Sequence, residues 1–200
     1  MARFIDAHAY IAESEGGFQQ MTNDTGNYVD GVLIGTNYGI SAPTLKAFLG
    51  RTPTMEDMKN LTYQEAVSIY IDRYWNRIIG NEIKNQSVAL LIYDGAVNQG
   101  RGAMRSIVGE SMRGLGSYID NSEVFTNEGT SQLNSLNQEK LFLKIYNGRK
   151  LRYEGGQEAF VQGHLNRLSG IKFFKNKPSF NLAIVFIVLI VVLSILIYRL

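Results

Sequence analysis

One change of texture along the chain limits the fold more than any other feature. From Gln19 to Ser41 the residues are mostly Asn, Asp, Thr, Gly and Tyr, with apolar islands only at Val32 to Ile34 and Tyr38 to Ile40. Islands that short, bounded by turn formers, predict turns and a small two- or three-stranded sheet. On both sides the pattern is helical. Before it, Phe4, Ile5, His8, Ala9, Ile11 and Ala12 recur at three- and four-residue spacing over Arg3 to Glu15, and Gly16-Gly17 stops the run. After it, helix signals follow one another to the C-terminus.

Ser41, Pro43 and Gly50 bracket a first downstream helix. Thr54 with Asp57 marks a second start. Thr62 with Glu65 forms a capping box and Leu61 with Ala66 a staple, opening an amphipathic helix with Val67, Tyr70, Tyr74 and Ile78 on one side. "NQSVALLIYDGAVNQG" reads as a central apolar helix ending near Gly100, and "RGAMRSIVGESMRGLG" as a shorter one. Ser117 to Asn137 reads as a loop. "QEKLFLKIYNGRKLRY" and "QEAFVQGHLNRLSG" form a helical pair joined at Glu154-Gly155-Gly156, where the glycines simply end a helix. The expected fold is α+β and mostly helical, with a small antiparallel sheet after helix one. No internal repeat is present, which excludes a solenoid.

The last residues differ in kind. From Leu182 to Ile197 every residue is apolar except Ser194, within "FNLAIVFIVLIVVLSILIYRL" over 180–200. A helix needs about 20 residues to cross the hydrocarbon core, so a single transmembrane helix is expected there, preceded by a basic neck over 171–179. Lys172, Lys175 and Lys177 outnumber Arg199 on the far side, which predicts a cytoplasmic main domain anchored to an inner membrane.

Composition closes several functional classes. The chain has no cysteine, so thiol catalysis and disulfide frameworks are excluded. With only His8 and His164, a His-rich metal site and a Ser-His-Asp triad are poor readings, and no metal or cofactor is expected. A net charge of +2 without a basic stripe argues against nucleic acid.

Catalytic chemistry is best placed at "AESEGGF". Glu15 ends the first helical run, where the helix dipole and neighbouring Phe18 both disfavour a carboxylate. Both raise its pKa, as a general acid requires. Gly16 and Gly17 let the chain turn away and uncover it. Asp24 and Asp30 follow in the acidic loop, and an acid kept protonated beside one kept ionised is the arrangement of glycoside hydrolysis. Thr36 could hydrogen-bond a water or the acid pair, and Tyr28 and Tyr38 could stack on sugar rings. Asp94 and Asn98 share one face of the central helix and need polar partners or a cleft. Tyr74 and Trp75 read as core, and His8 as a structural residue of helix one.

"SEGGF", Asn23-Asp24-Thr25-Gly26, "GTNYGIS" (Gly35 to Ser41), Tyr74-Trp75 and "DGAVNQG" (Asp94 to Gly100) occur in that order. Together they resemble the phage and prophage endolysin-type N-acetylmuramidases, glycoside hydrolase family 108. "FVQGHLNRL" (Phe160 to Leu168) resembles the end of the helical, wall-binding region that follows in that family. The resemblance implies a lysozyme-like catalytic region over 1–100 and a helical peptidoglycan-binding region over 101–170 packed on it. It implies Glu15 as the catalytic acid, Asp24 as the loop aspartate, Thr36 in support, and Asn37, Tyr38, Tyr28, Asp94 and Asn98 as substrate contacts. Here nine residues, Asn27 to Gly35, separate Gly26 from Thr36, where the family often has a compact run. The second acid is therefore Asp24 by motif, with Asp30 as the alternative.

The implied activity is cleavage of the N-acetylmuramic acid–N-acetylglucosamine bond of peptidoglycan, in phage lysis or wall remodelling. A lytic transglycosylase on the same scaffold is the nearest rival. A non-catalytic wall-binding or membrane-disrupting protein is the rival of another class. Expected partners are glycan strands and, through the tail, the inner membrane, with a holin or an export system reconciling a cytoplasmic domain with a wall outside.

Overall fold

The structure, a computed structural model, describes residues 1–12, 16–156 and 158–175. Helix α1 (Phe4–Ala12) buries Ala7, His8 and Ile11. Past a short 3-10 turn (Thr25–Asn27), strands β1 (Tyr28–Val29) and β2 (Val32–Leu33) pair antiparallel, Tyr28 opposite Leu33 and Val29 opposite Val32. Asp30 and Gly31 join them with φ of 51° and 78°. Two positive φ values in a two-residue loop make the turn whose twist matches the strands, and Asp-Gly is a sequence that favours it. The nine residues that lengthen this loop are thus a hairpin.

The other apolar island, Tyr38 to Ile40, forms no strand. Tyr38 and Gly39 have φ of 48° and 70°, and Asn37 pairs with Ile40 around them, so the chain reverses where a third strand was one expectation. The sheet has two strands among the described residues.

The helix starts follow the side chains that cap them. Ser41 precedes α2 (Ala42–Leu49), which ends at Gly50 in the left-handed region. Thr54 and Asp57 close a capping box on α3 (Met55–Lys59), and Thr62 and Glu65 close one on α4 (Tyr63–Tyr70). These N–H donors hold the Asp57 and Glu65 carboxyls below their ordinary pKa, with Arg51 contributing most at Asp57. Beyond α4 the helix widens into a π turn (Ile71–Trp75), followed by 3-10 turns at Asn76–Ile78 and Gly80–Glu82. The bend lays Trp75 over Gly80, where a Cβ would sit 2.4 Å from the indole. The Trp75 indole N–H donates to Asn81 at 2.8 Å.

Helix α5 (Gln86–Asn98) is the axis of the molecule, packed by α1, α6 (Arg101–Arg113) and α8 (Gln138–Glu154). Helix α7 (Asn127–Ser135) lies within the stretch expected to be loop. Its Thr126 cap and buried Gly129, Thr130 and Leu133 account for it, since few apolar residues are needed to seat so short a helix. Helix α9 (Glu158–Gly170) packs back on α8. One apolar core runs from Ala2 through α5 to Leu168 and Ile171, so regions 1–100 and 101–170 share it. Residues 171–175 lie against the start of α5, with Phe174 bonded through its N–H to Ser87 and through its carbonyl to Asn85.

The membrane reading requires correction. Among the described residues no helix is long and apolar enough to cross a membrane. The longest, α8, has 17 residues and carries charges along its length, against about 20 apolar residues for a span. The expected transmembrane helix over 180–200 lies outside the described residues. A single-pass inner-membrane location, and the membrane, holin and export partners attached to it, are therefore withdrawn.

Candidate functional site

The segment after α1 pairs through one isolated bridge with the segment that precedes α2. Gln19 and Thr36 exchange backbone hydrogen bonds of 2.8 and 2.9 Å. What fixes the intervening residues is the side chain of Asn27, which is fully buried. Its amide donates to Gln19 Oε1 at 2.9 Å and to the Met21 carbonyl at 2.8 Å, and its Oδ1 accepts from Thr36 Oγ1 at 2.5 Å and Gln19 Nε2 at 3.1 Å. Its own carbonyl accepts from Ile34 and Gly35. One amide thus ties both sides of the loop together. A Cβ at Gly35 would meet Gln19 O and Phe18 at 2.8 Å, so only glycine permits this approach.

Glu15, with Glu13 and Ser14, lies outside the described residues. Asp24 lies on the pinned loop, exposed, with Oδ1 accepting from the Gly26 N–H at 2.8 Å. Asp30 sits at the hairpin tip, bonded to Lys46 at 2.6 Å and to Thr52 at 2.7 Å. The Lys46 and Thr52 hydrogen bonds hold its carboxyl below the ordinary range. Of the two acids, Asp30 is committed to a surface ion pair, whereas Asp24 spends one oxygen on a turn.

The expected substrate contacts divide. Thr36 is half-buried and held by Asn27, and Tyr28 is half-buried with its hydroxyl donating to the Thr22 carbonyl at 3.1 Å. Asn37 is buried and donates to the Met58 carbonyl at 2.9 Å, fastening the loop to the end of α3. Tyr38 accepts from the Tyr70 hydroxyl at 3.2 Å and meets Tyr63 edge-on at 5.9 Å. With His8, Ala12, Ala66 and Tyr70 these two tyrosines line a cavity of about 40 Å³ beside the last described turn of α1. His8 is buried, stacks on Phe4 at 4.9 Å and pairs with Tyr93 at 3.0 Å. Burial pushes its pKa down.

Asp94 and Asn98 do share a face; at Asp94 that face meets protein, whereas Asn98 is half-buried and lines a cavity of about 310 Å³ with Gln99, Tyr153 and His164. Asp94 is fully buried, with Oδ2 bound by Arg149 and Oδ1 by Arg167, both at 2.7 Å. Asn98 donates to Asp94 O and Oδ1 at 2.8 and 3.2 Å. Arg149 is itself fully buried, donating also to Gln99, the Leu91 carbonyl and Tyr153. The cluster joins α5 to α8 and α9, and a carboxylate with both oxygens engaged there has no face left for a sugar. Tyr74 is half-buried against the core and Trp75 is within it.

Two residues of consequence escaped the sequence reading. Asn27 was one polar residue among many in the loop. Arg149 left a signal, because it occupies the stripe of Leu141, Ile145 and Tyr153 at four-residue spacing, where an apolar residue is the norm. Among the described residues no group of three or more His, Asp or Glu side chains could hold a metal ion.

Residues 8–100 match the family described as Glycosyl hydrolase 108. Among solved structures, that of Brucella abortus SagA is similar with a TM-score of 0.72 and 23% identity, over 84% of this chain and 90% of the other. No curated protein matches the chain.

Proposed function

We propose that the chain, whose residues 8–100 match the Glycosyl hydrolase 108 model, is a glycoside hydrolase of that family and that it hydrolyses peptidoglycan between N-acetylmuramic acid and N-acetylglucosamine. Glu15 protonates the leaving glycosidic oxygen. Asp24, on the loop that follows, stabilises the oxocarbenium-like centre directly or orients the attacking water. Thr36 pairs with Gln19 across the loop, and Tyr38 with Tyr63 walls the end of α1 with aromatic surface. Helical residues 101–170 contribute wall binding.

The observation that carries this reading is the pinned loop. Asn27 locks Gln19, four residues after Glu15 in sequence, to Thr36, and the exposed carboxylate of Asp24 rides on the same loop. A rigid scaffold beneath a reacting carboxylate is what transition-state stabilisation needs, because its groups do not reorganise during reaction.

Replacing Glu15 by Gln preserves shape and removes the proton. Solubilisation of purified sacculi is expected to fall roughly 100- to 10,000-fold, the usual contribution of a general acid. A variant that clears sacculi at the wild-type rate defeats the assignment. Mass spectrometry of the wild-type products tests the hydrolytic outcome, since a transglycosylase leaves anhydro ends lighter by one water.

A further inference from the structure

Away from the α1 loop, a cavity lies at the far end of α6. It has a volume of about 530 Å³ and is lined by Arg113, Ser117, Tyr118, Ile119, Asp120 and Glu123 among others. Ligand sites are commonly ~300–1,000 Å³. Tyr118 is 97% exposed, the most exposed of the large hydrophobic side chains among the described residues. Its neighbours, by contrast, are tied down. Ser117 bonds through its N–H to the Met112 carbonyl at 3.1 Å and through its hydroxyl to Gln132 at 2.7 Å. Ile119 is buried, and its carbonyl accepts from Arg113 at 2.9 Å. Gly116, with φ of 91°, turns the chain into this loop. The backbone on both sides of Tyr118 is therefore fixed while the ring stands in water, so a ligand meeting the ring faces little ordering cost.

The lining selects a class of ligand. Asp120 and Glu123 carboxylates and the Ser117 hydroxyl accept hydrogen bonds, the Arg113 guanidinium donates them, and a single aromatic ring offers a flat apolar face. Two carboxylates against one guanidinium disfavour a densely charged polyanion such as a nucleic acid. An isolated ring with a charged surround offers too little apolar area for a lipid or an apolar helix. A pyranose fits all of it, presenting hydroxyls and amides at its edge and C–H bonds on its face to an aromatic ring.

The position separates this cavity from the catalytic loop. Helices α1 and α5 run side by side in one direction, with Arg3 bonded to Gln86 and His8 to Tyr93. Helix α6 turns back at Gly100, and Gly95 packs on Met104 across that turn. Thirteen residues of α6, at about 1.5 Å each, then carry the cavity roughly 20 Å from the end of the molecule that holds the α1 loop.

We propose that the cavity around Tyr118 is a second, non-catalytic glycan site that holds a strand of amino-sugar polymer at the pole opposite the α1 loop. The proposal rests on the glycoside hydrolase reading for its ligand, but its test reads binding and not cleavage. Full-length protein, Tyr118→Ala and Tyr118→Phe are incubated in the cold with purified sacculi and, separately, with chitin, and the retained fraction is measured. Hydrolysis of short soluble wall fragments is measured alongside. Losing one ring contact should lower retention about tenfold in Tyr118→Ala. Tyr118→Phe keeps the stacking face and should stay within about twofold of wild type. Soluble fragments should be cut at the same rate by all three. Unchanged retention of Tyr118→Ala overturns the proposal, as does an equal loss with soluble fragments, which would place Tyr118 in the cleft or in folding. Retention lost only when a second protein is present would assign the cavity to a protein partner instead, and also overturns it. A wild type that binds sacculi through Tyr118 yet releases no sugar leaves this site standing and sinks the hydrolase reading.

Discussion

Between α1 and α2, the described residues contain two strands of two residues and one turn of 3-10 helix, and a side-chain amide holds them. Between α5 and α9, long helices pack on one apolar core, and the polar groups caught inside form a closed cluster of Asp94, Arg149 and Arg167. Both regions bury polar side chains, but with opposite economics. Asn27 is neutral, and its hydrogen bonds replace water one for one at modest net gain. The Asp94 cluster brings charges out of water, and it holds only while every charge keeps its partner. The loop is thus easy to disturb locally, and the helical half hard to disturb without losing the whole fold.

The largest effect belongs to the charged cluster. Arg149→Met removes one partner of a fully buried carboxylate and should cost about 3–5 kcal/mol. For a domain of this size that lowers Tm by about 10 °C or more, measurable by calorimetry. The double variant Arg149→Met/Asp94→Asn should lose less than Arg149→Met alone, because the carboxylate that needed compensation is gone. Equal losses would show that Arg149 acts through packing.

Asn27→Ala comes next. It strips Thr36 Oγ1 and Gln19 of their buried partner, at about 1–3 kcal/mol. The loss should stay local. Hydrogen exchange of the Thr36 and Gln19 amides should quicken by more than any change in the α5 amides, and sacculus hydrolysis should fall while Tm moves only a few degrees. If α5 exchange accelerates equally, the loop and the helical half are one cooperative unit and the contrast between them fails.

The same contrast explains what the sequence revealed. Helix starts were legible, since Thr54 and Thr62 close capping boxes on the helices they announce and Ser41 sits at the N-cap position of α2, although its hydroxyl pairs with Thr44. The Leu61 and Ala66 staple pair is buried as expected. Asp30-Gly31 between two short apolar islands is a local hairpin signal, and it forms the two-residue turn between Val29 and Val32. Partners distant in sequence were not legible. Asp94 meets Arg149 and Arg167 across 55 and 73 positions, and periodicity shows only that Asp94 and Asn98 share a face, not what faces them. The π turn at Ile71–Trp75 also left no local sign, because the contact that fixes it is Trp75 over Gly80.

A smaller effect is expected from pH. His8 is buried and neutral, with a pKa pushed below its ordinary value by desolvation. A depressed folded-state pKa means that the unfolded chain binds the proton first as pH falls. Stability is therefore full above about pH 6.5, the unfolded value, and declines as pH drops toward the folded pKa. Comparing melts at pH 7.5 and 5.0 for wild type and His8→Phe isolates this step. The variant should lose less on acidification, and an identical loss would place the proton elsewhere.

The smallest effect should come from Asp30, the rival second acid. Its ion pair with Lys46 is half-exposed on both sides, and such surface pairs add little to stability. Its backbone is the more demanding feature, since φ of 51° is left-handed and Asn tolerates that region better than most residues. Asp30→Asn keeps the turn and removes the charge, so both Tm and sacculus hydrolysis should stay close to wild type. Asp30→Ala loses the turn preference as well and should be the less stable of the two by about 1 kcal/mol. Asp24→Asn, by contrast, keeps an oxygen for the Gly26 N–H and still removes the charge, so it should slow hydrolysis without lowering Tm. If Asp30→Asn stops hydrolysis and Asp24→Asn does not, the hairpin tip carries the second acid, and the loop anchored by Asn27 serves to present that tip.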